Sequence, residues 1–270
     1  ENKAPLDKWS APVLEKKHGS YELRFTREFQ VELSNKEIFE QKVCAVDLGI
    51  TSDATCSVLD VHGTVLSRKF INCGKEKDSV ANALHRVSSF QKEHGSHDVK
   101  RLWNIAKRRN LNHAHLVAHK IVDYAKENNC DVIVFEYLDT KGRKKGSKKQ
   151  KLSMWKHQDI QKTTERLAHS LGIRVAHVCA WNTSKLAYDG SGVVLRGKKA
   201  SEDTPYDICR FQSGKTYNCD LSASYNIGAR YIIKELIKVL PNIMTEVSNI
   251  GGGTSRTLST LWNINSVMMI

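Results

Sequence analysis

The chain has 270 residues, 40% of them hydrophobic, and a formal net charge of +13. That length and apolar content exclude a disordered chain and suffice for a real core in one large domain or two. No apolar stretch approaches a membrane span and no secretory core follows Glu1-Asn2-Lys3, while the charge favours polyanionic partners, chiefly nucleic acid or an anionic membrane surface. Seven scattered cysteines, an odd number, are expected to be reduced core thiols of a cytoplasmic protein rather than a disulfide framework.

Residues 1–20 are polar and without period, and 21–33 alternate apolar with charged residues, which predicts a half-exposed strand or hairpin. Residues 1–42 are expected to close a preceding β-rich module. From Val43 the pattern changes to three strand-like segments, 43–48, 54–60 and 64–71, joined by turn residues, which predicts an antiparallel meander. Helical periodicity covers 76–94 and 98–128, and a buried-strand run follows at 131–138. The segment 141–151, KGRKKGSKKQK, carries seven basic residues, no acid and two glycines, and is expected to be a mobile loop. A helix over 153–171 and a strand over 173–179 come next. Residues 182–218 lack periodicity and form an insertion; 220–240 form an apolar helix stopped by Pro241. Beyond Gly251-Gly252-Gly253, residues 258–270 are a tail with no predicted structure. The order fits one α/β fold, a mixed sheet with helices on both faces and the first and fourth strands side by side.

Three acids stand out against this pattern. Glu136 lies inside the apolar run Val132-Ile133-Val134-Phe135-Glu136-Tyr137, where a carboxylate is costly without a cation or donors. Asp47 ends a similar run, and Asp220 opens the last long helix. Taken singly, Asp47 reads as a turn residue and Asp220 as a plain helix N-cap. Taken together, the three suggest one acidic cluster, whose usual solution is bound Mg²⁺.

The blocks AVDLGI at 45–50, VIVFEYL at 132–138, WNTSK at 181–185 and CDLSASYNIGARY at 219–231 resemble the RuvC-type nuclease domain of TnpB-like RNA-guided nucleases and type V CRISPR effectors. The likeness runs over roughly 43–240, and its four blocks occur in order. It implies an RNase H-like fold and an RNA-guided, Mg²⁺-dependent DNA endonuclease in which Asp47, Glu136 and Asp220 hold two ions about 3.5–4 Å apart. Mn²⁺ is expected to substitute for Mg²⁺. Guide RNA and target DNA are the implied partners. Residues 1–42 would then end a wedge-type module, 43–181 with 219–240 would be the nuclease domain, 182–218 a nucleic-acid-binding lobe and 241–270 a C-terminal tail. The chain is expected to be a C-terminal piece of such a protein. Oligomeric state is not legible.

One departure is plain. The family's zinc ribbon places two Cys-x-x-Cys pairs in the insertion; here Ala187, Gly190 and Gln212 replace three ligands and Cys209 alone remains. Four ligands are needed for a structural site, so no zinc is expected. Nucleic-acid contacts are expected from the basic loop (Lys141, Arg143, Lys144, Lys145, Lys148, Lys149, Lys151) and from a helical patch (Lys100, Arg101, Lys107, Arg108, Arg109). Asn182, Ser184 and Lys185 of the NTSK block read equally as nucleic-acid contacts and as a turn after a strand. Trp103 is expected to be half-buried. His113, His115 and His119 are expected to be solvated or phosphate-facing. Two other functions remain open: an RNA-guided DNA-binding module with weak or lost cleavage, and an unguided RNase H-like resolvase or transposase.

Overall fold

The computed structural model describes residues 8–17, 19–28, 30–95, 98–138, 153–200, 205–243 and 256–268. Short strands β1 (Lys8–Trp9), β2 (Val13–Lys17), β3 (Ser20–Arg24) and β4 (Arg27–Glu28) open the chain. β2 pairs with β3 and β1 with β4, both antiparallel. Strand therefore begins inside the stretch expected to be irregular, and none forms at 31–33. Isolated hairpins of this kind bury little, so their period is weakly written.

The main sheet is built from β5 (Val43–Leu48), β6 (Ala54–Leu59), β7 (Val65–Ile71), β8 (Val132–Tyr137) and β9 (Arg174–Cys179), in the order β7-β6-β5-β8-β9. β5, β6 and β7 form the expected antiparallel meander, and β5, β8 and β9 run parallel. β5 and β8 are apolar on both faces because both faces are covered. β7, at the edge, alternates toward solvent.

Helices α1 (Gly74–His94), α2 (Lys100–Glu127), α3 (His157–His169), α4 (Cys219–Val239) and α5 (Leu258–Met268) complete the layers. Alternation along the strands divides the core in two. Val43, Ala45, Val132 and Val134 pack under α4 and α5, through Ile227, Ile232, Leu236 and Leu261. Cys44, Val46, Ile133 and Phe135 pack under α2 and α3, through Val117, Ile121 and Ile160. α1 lies against α2. α4 comes so close to the sheet that a Cβ on Gly228 would sit 2.6 Å from Leu59 Cδ1 and 3.2 Å from Ala45 Cβ. A glycine is the residue that permits that approach.

The segment expected to be an unstructured tail carries α5. Leu258, Leu261 and Ile264 are fully buried, Trp262 Nε1 donates to the Gly63 carbonyl and Asn265 Nδ2 to that of Val61. Within the insertion, β10 (Leu195–Arg196), β11 (Ile208–Arg210) and β12 (Thr216–Asn218) form a small antiparallel sheet. Tyr188 anchors it, meeting Phe211, Tyr217 and Tyr225 edge to face. All seven cysteines are free thiols, and only Cys179 is exposed. Among the described residues, no helix is long and apolar enough to cross a membrane.

Candidate functional site

The register brings the positions of two of the three acids onto neighbouring strands. β5 and β8 pair Val46 with Phe135, so the next step sets Asp47 beside Glu136. Both residues share strand parity with Val43, Ala45, Val132 and Val134, the residues beneath α4. α4 starts over that same face, and Asp220 lies in its first turn. The helix is capped by Asn218, whose side-chain oxygen accepts from the Asp220 and Leu221 amides at 3.0 Å each. Asp220 is therefore not the cap, which leaves its carboxylate free for other partners. Its Oδ2 accepts instead from Ser52 Oγ at 2.7 Å. Replacing Asn218 with Ala is expected to cost about 1 kcal/mol in urea unfolding.

The electrostatics agree with a shared site. Burial pushes the Asp47 carboxyl well above its ordinary value, and the charges of Glu136 and Asp220 push it further. Arg196 of β10 opposes this. Arg196 also donates to the Ser184 carbonyl, so the insertion delivers one cation to the acids. Glu136 is 8% exposed and raised by burial, against the opposing influence of Thr183 and the Arg230 charge. Its Oε1 is buried with no hydrogen-bond partner among the described residues. A carboxylate oxygen left in that condition is one that a cation would satisfy.

The NTSK segment forms a turn, one of its two readings. Asn182 adopts a left-handed backbone, φ 60°, and its carbonyl accepts from the Lys185 and Leu186 amides, which makes it a turn residue. Lys185 and Ser184 are exposed. Thr183, buried, is the member that stands beside Glu136. Fully buried Asn226 of α4 holds the turn by donating to the Thr183 and Leu186 carbonyls at 3.0 and 2.9 Å.

The basic candidates separate from the acids. Lys100, Arg101, Lys107, Arg108 and Arg109 are exposed on the first turns of α2, in the layer on the opposite face of the sheet. Trp103 is half-buried there. Lys141, Arg143, Lys144, Lys145, Lys148, Lys149 and Lys151 lie outside the described residues. Of the positions where zinc ligands are replaced, Ala187 is fully buried and Gly190 sits at φ 79°; Cys209, the one that remains, donates to the Tyr217 carbonyl.

A second cluster was not foreseen. The donor atoms of Asp53, Cys73 and His113 lie within 4.8 Å of one another, a set that could hold a metal ion. Those of Asp47, Glu136 and Asp220 are not gathered so tightly among the described residues, as expected of carboxylates that repel without a cation. His113 is thus not solvated: it faces Asp53 Oδ1 at 3.0 Å. Lys77 Nζ meets the same oxygen at 3.1 Å, and the Cys73 amide donates to Oδ2 at 2.6 Å. Burial would raise the Asp53 carboxyl, but these partners outweigh it and hold it below its ordinary value. Asp53 is already satisfied by the protein, as a clamp on the start of α1. A cleft of about 590 Å³ opens beside it, between α1, α2 and α3.

No protein-family model matches the sequence, and no curated protein matches it. Solved structures do match in fold. A cryo-EM structure of a Cas12f1–sgRNA–target DNA complex aligns at TM-score 0.55 and 15% identity, over 80% of this chain and 55% of that one. A CRISPR-Cas12f ternary complex aligns at 0.55 and 18%, over 80% and 44%. Alicyclobacillus acidoterrestris C2c1 with single-guide RNA aligns at 0.50 and 10%, over 84% and 48%. The chain spans about half the length of each. With its five-stranded mixed sheet and helical layers, the chain shares its fold with these type V CRISPR effectors.

Proposed function

We propose that the chain is the RuvC-type, RNase H-like nuclease portion of an RNA-guided DNA endonuclease of the TnpB-like or type V kind. What supports this reading is that the charges of Glu136 and Asp220 both act on Asp47, and that Glu136 Oε1 is buried and unpartnered among the described residues. The donor set is all oxygen, which suits Mg²⁺ or Mn²⁺. When bound, two such ions would supply an activated water and stabilise the leaving oxygen of a phosphodiester. Asp47, which feels both other carboxylates, is the residue suited to be shared; Glu136 and Asp220 would each serve one ion. Ser52 fixes the Asp220 rotamer, and Arg196 offsets negative charge around Asp47. No zinc is needed for this chemistry.

Guide RNA and target DNA are the proposed partners, in keeping with the net charge of +13 and with what the structures of like fold contain. Residues 43–181 and 219–240 would form the nuclease domain, 182–218 its accessory lobe, 1–42 the end of a wedge-type module and 241–270 a C-terminal appendage. Free thiols throughout accord with a cytoplasmic setting.

The second reading, a guided DNA binder with weak or lost cleavage, is favoured by the replaced ligands Ala187, Gly190 and Gln212. Single-stranded DNA digestion by the purified chain with its co-purifying RNA separates the two. Cleavage is expected in Mg²⁺ or Mn²⁺ and is expected to disappear in Glu136→Gln. Binding without cutting at every metal concentration would establish the second reading instead.

A further inference from the structure

A pocket of about 290 Å³ opens where β9 ends, between the Trp181 turn, α4 and the start of α5. His177, Cys179, Trp181, Arg230, Lys234 and Arg256 line it, and none of its lining residues is acidic. Arg230 is 8% exposed. Its Nη1 donates to the Cys179 carbonyl at 2.8 Å and its Nε to the Arg256 carbonyl at 3.1 Å, which fixes the guanidinium plane. Its Nη2 is buried and has no partner among the described residues, and the same is true of Arg256 Nε. Burial lowers the Arg230 proton affinity; the Cys179 and Glu136 charges oppose this, and the Arg256 charge adds to it. Two cations packed together with unfilled donors are a costly arrangement that an anion relieves.

The Trp181 indole is 64% exposed at the rim. A structural role explains the two carbonyl contacts of Arg230. It does not explain why a second guanidinium, a lysine and a bare indole line the same pocket. A guanidinium fork matches a phosphate, and an exposed indole stacks on a base of any sequence.

We propose that this pocket is a nucleotide subsite for single-stranded nucleic acid: one backbone phosphate on Arg230, Arg256 and Lys234, with the adjoining base stacked on Trp181. Arg230 also senses the Glu136 charge, so the subsite neighbours the acidic site. That the bound strand is the one cut rests on the nuclease reading; that a strand binds here does not.

The test is fluorescence anisotropy of a labelled single-stranded oligodeoxynucleotide with the whole chain, across a salt series. Trp181 and Lys234 are both exposed, so Trp181→Ala with Lys234→Gln is expected to fold as the wild type by circular dichroism. Affinity is expected to fall about tenfold, with the salt slope shallower by about one charge. Arg230→Lys keeps the charge, loses the fork and is expected to weaken binding as well. Unlabelled mononucleotide is expected to compete poorly. Competition by mononucleotide as strong as by the oligonucleotide would assign the pocket to a free nucleotide and overturn the proposal. So would no binding at all, or equal affinity and salt slope in the double variant. Asp47→Ala is expected to leave this binding intact, so a chain that never cuts yet depends on Trp181 and Lys234 sinks the nuclease reading alone.

Discussion

Asp47→Asn is expected to lower metal-dependent DNA cleavage by about 10³-fold, the loss typical when a preorganised charge is removed from a reacting centre. The fold is expected to survive, because the side chain is isosteric and the backbone of β5 keeps its ladder to β6 and β8. Asp47 is chosen because the charges of both other acids act on it. Oligonucleotide binding is expected to be unchanged, since the cations proposed to supply it, Arg230, Lys234 and Arg256 among them, are all kept. Gel-based cleavage and anisotropy on one preparation separate the two quantities. Cleavage at the wild-type rate in the Asn variant would remove Asp47 from the chemistry.

The second large effect is on stability. Without metal, the Asp47 and Glu136 carboxyls hold their protons to higher pH in the fold than in the unfolded chain. The folded state therefore binds more protons across the interval between the ordinary carboxylate value and the raised one. Stability is fully present below the ordinary value and is lost as pH rises through the raised values. A divalent cation reverses the sign at neutral pH, because it binds the ionised fold and not the unfolded chain. At about 100 times Kd that linkage contributes about 2.7 kcal/mol. For a chain of this size it corresponds to a rise in Tm of about 5–10 °C. Thermal scans at neutral pH with and without Mg²⁺ or Mn²⁺ measure it. Asp47→Asn is expected to melt higher than the wild type without metal, having one buried charge fewer, and to gain little from metal. An equal metal gain in both proteins would place the ion elsewhere.

What was legible in the sequence follows from how each feature is encoded. β5 and β8 were readable because a central strand must be apolar on both faces, and the same runs made Asp47 and Glu136 conspicuous. The meander was readable from short joints between β-branched runs. α5 was missed because Gly251-Gly252-Gly253 reads as the end of a fold, although Leu258, Leu261, Trp262 and Asn265 already lie at helical spacing. Asn218, two residues before Asp220 and as good a cap as aspartate, was the local sign that Asp220 is free for other work.

The other site residues had no such sign. Ser52 and Arg196 reach the acids from a turn and a short strand of the insertion, each separated from its partner by a long stretch of chain, and Thr183, inside the NTSK block, carried no sign of its own. Asp53, Cys73 and His113 assemble from three elements, so no ligand spacing exists to be read. Arg230 lies inside an apolar helix, where no neighbouring residue marks it. Only the register of α4 against β9 shows that it carries an unfilled donor.

The most direct measurement is an anomalous difference map from crystals soaked in Mn²⁺. Peaks are expected among the carboxylates of Asp47, Glu136 and Asp220, and are expected to vanish in Asp47→Asn. Density only beside Asp53, Cys73 and His113, with the three acids bare, would contradict the account.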